Sequence, residues 1–192
     1  MGFLDVVFGR KRLKEASDER LFALSTAQVT LETELGLKTA GAAAVVFKPL
    51  SAGEFVRAEN ELQQLLDSVA TESGSKVERR SDEYGFEWIV VRDADFEDLV
   101  TSVHLVASEL QGRGFGPQLL AAVFPFEQGG FDGGRVYWIY GFKRGAFWPF
   151  VPNPDGKTRD NARELELKAK LEGELPVEQD LTRWLALFDA PV

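Results

Sequence analysis

The chain has no cysteine. That removes disulfides, thiolate nucleophiles and cysteine-based zinc sites together. Histidine is nearly as scarce, His104 being the only one. Zinc asks for several imidazole or thiolate ligands, so a zinc site has no ligand set to draw on. A lone His without a Ser or Cys partner pattern carries no triad signal either. Positive charge is the minority sign, with 22 Lys+Arg against 31 Asp+Glu and a net charge of −9. Nucleic-acid binding needs clustered Lys and Arg, so it is not expected. No apolar run approaches the roughly 20 residues that span a bilayer. The apolar run at residues 3–8 is too short for a signal peptide and precedes the basic residues instead of following them, which favours the cytoplasm. A chain of 192 residues buries enough surface to fold without crosslinks. We expect one domain over 17–192 and a short appendage over 1–16.

The appendage is MGFLDVVFGRKRLK. Phe3, Leu4, Val7 and Phe8 share one side of a short amphipathic helix, followed by Arg10, Lys11, Arg12 and Lys14 against Asp5 alone. Two turns of helix are not stable alone in water, so the segment must dock on its own domain, on a partner, or on an anionic membrane surface.

SDERLFAL holds a short helix capped by Ser17 or Asp18. Residues 26–35 carry two signals. Ser25 with Gln28 fits a capping box, whereas Ala27, Val29, Leu31, Thr33 and Leu35 alternate as in a strand. Gly36 as a stop favours helix. GAAAVVFKP reads as a strand ended by Pro49. Residues 51–70 form an amphipathic helix, with Phe55, Ala58, Leu62, Leu65, Leu66 and Val69 on one face and Ser51 as its cap. Residues 76–80 and 86–92 make a hairpin around Ser81-Asp82-Glu83-Tyr84-Gly85. Residues 95–111 form a second helix, stopped by Gly112 and Gly114. Residues 119–126 and 135–142 are strands apolar on both faces, joined by the glycine-rich EQGGFDGG. Two C-terminal helices are expected, over 159–172 and 177–188. In the second, Leu181, Trp184, Leu185 and Phe188 fall at i, i+3, i+4 and i+7 after Pro176. The fold class is α+β, an αββαββ core with a mostly antiparallel sheet covered by helices.

Each cluster that could carry chemistry has a plainer reading. DADFED (residues 93–98) could gather a divalent cation, but acids in the first turn of a helix cap its free N–H groups. NPDGKTRDNARE fails as a calcium loop, because Val151 and Ala162 fall where its acidic ligands should be. A turn leading to a helix capped by Thr158 or Asp160 remains. GRGFGP follows a helix and precedes a strand, the reverse of a dinucleotide site, and reads as a helix stop. In YGFKRGAFWPFVP (residues 140–152), Tyr140 and Phe142 should be core and Lys143-Arg144-Gly145 a surface turn. Phe147, Trp148 and Phe150 suit either a core edge, the weightier reading, or an interface, which favours aromatics and Arg. No catalytic, cofactor or metal residue is assigned.

Several blocks together resemble one family: MGFLDVVFGR, EYGFEWIVV with DFEDLVTSVH, GFGPQLLAAVF, KRGAFWPFVP and RDNARELELKAKLEGELPVEQDLTRW. They are similar to the actinobacterial PspA-associated PspAB family over nearly the whole chain. The resemblance implies association, genetic or physical, with the phage-shock protein PspA, a coiled-coil membrane-stress protein at the inner face of the cytoplasmic membrane. It brings no enzymatic activity. The layout also resembles secretion-chaperone-like domains, which hold protein segments. Three expectations follow. The first is a non-enzymatic adaptor contacting PspA or an anionic membrane through Phe3, Leu4, Val7, Phe8, Arg10, Lys11 and Arg12, with Lys143, Arg144, Phe147, Trp148 and Phe150 as further contact residues. The second is a chaperone-like module with an apolar groove, alone or as a homo-oligomer. The third is a hydrolase, which would need a pocket holding two carboxylates of strongly perturbed pKa.

Overall fold

The computed structural model describes residues 19–48, 52–129 and 134–192, with the side chains of 52–62 excepted. The N-terminal segment therefore lies outside the described residues, as do the caps expected at Ser17, Asp18 and Ser51, the strand-ending Pro49, and part of EQGGFDGG. The same holds for the side chains of Phe55, Ala58 and Leu62.

The first described elements are a 3-10 turn, Arg20–Phe22, then α1 (Ala23–Thr26) and α2 (Gln28–Thr33). Leu21, Leu24, Ala27 and Leu31 are buried at helical spacing, whereas Val29, which a strand would have buried with them, is 70% exposed. Helical period wins here, and Gly36 ends the run at a φ of 64°. The capping box does not form. Helical structure already begins at Arg20, so Ser25 lies inside it and its buried Oγ has no hydrogen-bond partner.

Next come β1 (Leu37–Thr39), β2 (Ala42–Phe47), α3 (Ala52–Ser73), β3 (Lys76–Ser81), β4 (Glu87–Arg92), α4 (Phe96–Gly112), β5 (Leu119–Gln128), β6 (Arg135–Gly141), β7 (Ala146–Phe150) and α5 (Asn161–Leu171). The expected helix–hairpin–helix–hairpin order stands as α3, β3–β4, α4, β5–β6. The strands form one antiparallel sheet in the order β3-β4-β2-β5-β6-β7, with β1 paired to β5. Pro125 is tolerated inside β5 because its side of the strand faces the corner between β1 and β2. Its carbonyl accepts from Ala40 N–H at 3.0 Å there, so the N–H it lacks would have pointed at that gap.

The register separates two faces. Val45, Ile89, Ala122, Tyr140 and Phe147 lie in one row across the sheet, and this face meets the helices. Phe96 of α4 packs its ring edgewise against Phe124 and Phe126 of the same face. Leu99, Val100, Val103, Val106 and Leu110 complete the α4 stripe, all fully buried. The other face carries Val46, Trp88 and Ala121 in one row and Ala44, Val90, Val123, Ile139 and Trp148 in the next. A strap formed by the C-terminal residues covers part of it. Phe188 stacks edge-on over Phe150 at 5.0 Å, and Trp148 Nε1–H donates to the Leu185 carbonyl at 3.0 Å.

That strap corrects the helix expected over 177–188. Among these residues only a 3-10 turn forms, Leu181–Arg183. Phe147 N–H donates to Pro176 O and Glu178 N–H to Phe147 O, both at 2.8 Å, so the chain here runs extended along the free edge of β7. Backbone groups used in that way cannot close helical turns. Pro149 fits the same edge, since its missing N–H lies on the outward side of β7 and takes no bond from β6.

Gly141 sits opposite Ala146, directly beside the Trp148 ring. A Cβ there would lie 2.9 Å from Trp148 Cζ3. Gly141→Ala should therefore push the indole away and lower stability by about 1–3 kcal/mol, read as a shift in the urea midpoint.

Candidate partner-binding surface

The helix-free face of the sheet holds a cleft of 450 Å³ between the β3–β4 hairpin tip, the strands and the strap. Its walls are largely apolar: Val46, Phe86, Trp88, Leu120, Ala121 and Trp148 from the sheet side, and 185–190 from the strap. The tip is shaped by one carboxylate. Asp82 Oδ1 accepts from the N–H groups of Tyr84 at 2.9 Å and Phe86 at 2.8 Å, and its Oδ2 accepts from Trp88 Nε1–H at 2.9 Å. Asp tolerates such tight turns because its short side chain reaches the backbone two residues on. The turn holds Tyr84 at the cleft mouth, where it is 66% exposed beside Leu185 at 62% and Phe188 at 38%.

Charge around the cleft is divided. Asp82 and Asp189 line its hairpin end, with Glu83 exposed beside them. The Tyr84 phenol is pushed up, first by the charge of Glu83 and then by that of Asp189, which marks negative potential at the mouth. Toward β7 a neighbouring hollow of 390 Å³ shares Leu120 and Trp148 and is lined by Lys143, Arg144 and Arg183 with Glu178. Arg144 is within 3.4 Å of Glu178.

The residues singled out in the sequence are distributed as follows. Lys143 and Arg144 stand on the surface turn between β6 and β7, as expected, with Gly145 at a φ of 62°. Phe147, Trp148 and Phe150 are strand β7, at 0%, 7% and 0% exposure. Phe147 and Phe150 are thus core and offer no contact surface. Trp148 alone shows a ring edge, in the cleft. Phe3, Leu4, Val7, Phe8, Arg10, Lys11 and Arg12 lie outside the described residues. Sequence reading missed Tyr84, Phe86 and Asp189 as members of a surface. The tip was legible only as a turn, because its meeting with the strap depends on a path set by β7.

The other clusters are structural. His104 packs on the Phe22 ring at 4.9 Å, with Ser108 Oγ 3.5 Å from its Nε2. Asp95 caps α4 by accepting from the N–H groups of Glu97 and Asp98, and Gly114 closes its end at a φ of 92°. Asp160 caps α5 through Arg163 N–H, and Asp155 gathers Lys157 N–H and the N–H and hydroxyl of Thr158. Asp93 accepts from Asp95 N–H at 2.9 Å and from the Ser75 hydroxyl at 2.7 Å, and Ser75 Oγ lies 3.1 Å from buried Ser102 Oγ. This group lashes the start of β3 and the end of β4 to α4, and no histidine belongs to it. Two carboxylates stand out by their pKa. Asp93 is held down mainly by Asp95 N–H and then by Ser75, and Asp155 mainly by the Thr158 hydroxyl. Both shifts are opposite to what a proton-donating acid would need.

The Asp93 shift carries a pH prediction. Its charged form is favoured in the fold, so the stabilisation is full above the ordinary value of 3.8 and is lost as pH falls through the lowered one. Asp93→Asn should lower the urea midpoint at neutral pH and flatten its fall at acid pH.

Among the described residues no group of three or more His, Cys, Asp or Glu side chains converges to hold a metal ion. No described helix is long and apolar enough to cross a membrane. No curated protein and no solved structure matches the chain. A family model does match, over residues 1–192, and its description is PspA associated protein B: the chain belongs to the PspAB family.

Proposed function

We propose that this chain is a non-enzymatic adaptor or accessory protein of the PspA envelope-stress system, working by protein–protein contact. The family match over the full length carries the reading. The apolar cleft mouth on the helix-free face supports it, because the large side chains of Tyr84 and Leu185 are more than half exposed there and that of Phe188 more than a third. In this reading Phe3, Leu4, Val7 and Phe8, with Arg10, Lys11 and Arg12 behind them, meet PspA or the anionic inner face of the membrane. Lys143 and Arg144 add a basic surface turn at the other end of the same face. The protein then acts in the cytoplasm, with peripheral access to the membrane surface.

The cleft also favours a second reading, a chaperone-like module that holds a segment of another protein. Immobilised chain and purified PspA separate the two. The adaptor reading expects PspA to be retained, and the retention to be lost on deleting residues 1–14. No retention, with or without anionic vesicles, would overturn it. Binding of unrelated apolar segments in the absence of any binding to PspA would favour the chaperone-like module.

A further inference from the structure

We infer that the cleft between the β3–β4 hairpin tip and the strap binds a small amphiphilic organic ammonium ion, with its charge at the hairpin end and its apolar body against Trp88 and Trp148. The inference does not depend on the adaptor reading.

The cavity has the size of a ligand site. At 450 Å³ it falls within the roughly 300–1,000 Å³ usual for small molecules. The sheet forms its floor, and the tip and residues 185–190 form its sides. Toward β7 the Trp148 indole meets the Leu185 carbonyl. That contact closes the β7 side, so the cleft suits a compact molecule entering at Tyr84 better than a polypeptide crossing the sheet.

The lining selects the charge. Tyr84, Phe86, Trp88, Trp148 and Phe188 make it strongly aromatic, and no Lys, Arg or His lines it. Its charged side chains are Asp82 and Asp189, with Glu83 exposed beside them. Aromatic faces and carboxylates both attract a cation. The Tyr84 phenol, raised first by Glu83 and then by Asp189, reports the same negative field. The side-chain donors are already engaged. Trp88 Nε1–H is given to Asp82, Trp148 Nε1–H to the Leu185 carbonyl and the Tyr84 hydroxyl to Glu83. A carboxylate or phosphate ligand would find no side-chain donor here. An ammonium N–H does find an acceptor. Asp82 uses both of its oxygens to hold the tip, which leaves Asp189 on the strap to accept. Orientation follows from the neighbouring hollow, where Lys143, Arg144 and Arg183 stand with Glu178 beyond Trp148. The charge therefore belongs at the hairpin end, and the apolar body points toward β7. A molecule so placed touches the tip and the strap together and holds the strap down.

The tryptophans supply the test. In the isotope-labelled full-length chain, the indole N–H signals of Trp88 and Trp148 report the cleft. Trp138 pairs with Phe124 on the helix-covered face and serves as control. Phenylbutylamine, phenylbutanol and phenylbutyrate share one apolar body and differ in charge at neutral pH. The expected result is saturable movement of the Trp88 and Trp148 signals by the amine, with Trp138 unmoved. The amine should bind about tenfold or more tightly than the alcohol, as a charge-assisted hydrogen bond allows, and the carboxylate more weakly than either. Glu83→Gln with Asp189→Asn should bring the amine to within about twofold of the alcohol, and about 1 M NaCl should narrow the gap in the same direction. An unchanged Trp138 signal verifies that the double variant is folded. No movement with the amine would overturn the proposal. Equal binding of all three compounds would also overturn it, because the cleft would then select only apolar surface. So would movement of the same signals on raising the chain concentration without a probe, since the occupant would be a second copy. Tighter binding of a lysine-rich amphipathic peptide in place of the amine would overturn it as well, in favour of a protein segment. PspA is absent throughout, so this test and the PspA test fail independently.

Discussion

Replacing Glu164 by alanine is expected to lower stability by about 3–5 kcal/mol, the usual cost of leaving a buried charge without its partner. Glu164 is 2% exposed on α5. Its Oε1 accepts from Val151 N–H at 2.9 Å and from Arg159 Nε–H at 2.9 Å, and its Oε2 lies 2.8 Å from Arg159 Nη2. Arg159 in turn donates to the Trp184 carbonyl at 2.7 Å and lies over the Phe150 ring at 5.6 Å. One carboxylate thus ties α5, the end of β7 and the strap together. Glu164→Gln keeps an acceptor for Val151 and should cost less. Glu172→Ala, in an exposed pair with Lys168 at 3.1 Å, should stay within about 1 kcal/mol. Urea unfolding of the three variants checks the ranking. Equal effects at positions 164 and 172 would contradict this account of the joint.

Ending the chain after Arg183 should have an effect at least as large. It removes Trp184, which is 6% exposed, and deletion of a buried Trp side chain alone costs about 3–5 kcal/mol. It also removes the carbonyl that accepts from Trp148 Nε1–H, the carbonyl that accepts from Arg159, and the Phe188 ring over Phe150. The helix-free face, with Tyr137, Ile139 and Trp148, would then meet water. Hydrophobic-dye binding and self-association should rise together, as they do when a large apolar patch is uncovered. A truncated chain that stays monomeric, binds no dye and unfolds at the same urea concentration would show that the strap is not a structural cover.

The central layout was legible in the sequence because its signals are local. The stripe of α4, from Phe96 to Leu110, has helical period, and the two-faced apolar strands β5 and β6 read as the middle of a covered sheet. The strap was not legible, because Leu181, Trp184, Leu185 and Phe188 repeat at helical spacing although the backbone of 176–178 is taken by the edge of β7. Only Trp184 of those four is buried, so the repeat did not record a packed helical face. β7 itself was hidden by Pro149, which is harmless only because of the side it faces. The cleft was out of reach for the same reason. Its walls come from residues about 100 positions apart, joined by the strap's path. The polar caps, by contrast, were readable: Asp95 and Asp160 act on N–H groups two or three residues away.

The central claim is physical association with PspA, and titration calorimetry of the purified chain with purified PspA tests it most directly. The account predicts saturable binding that residues 1–14 are needed for and that excess peptide of that sequence competes away. No heat and no co-sedimentation with PspA, with or without anionic vesicles, would contradict it.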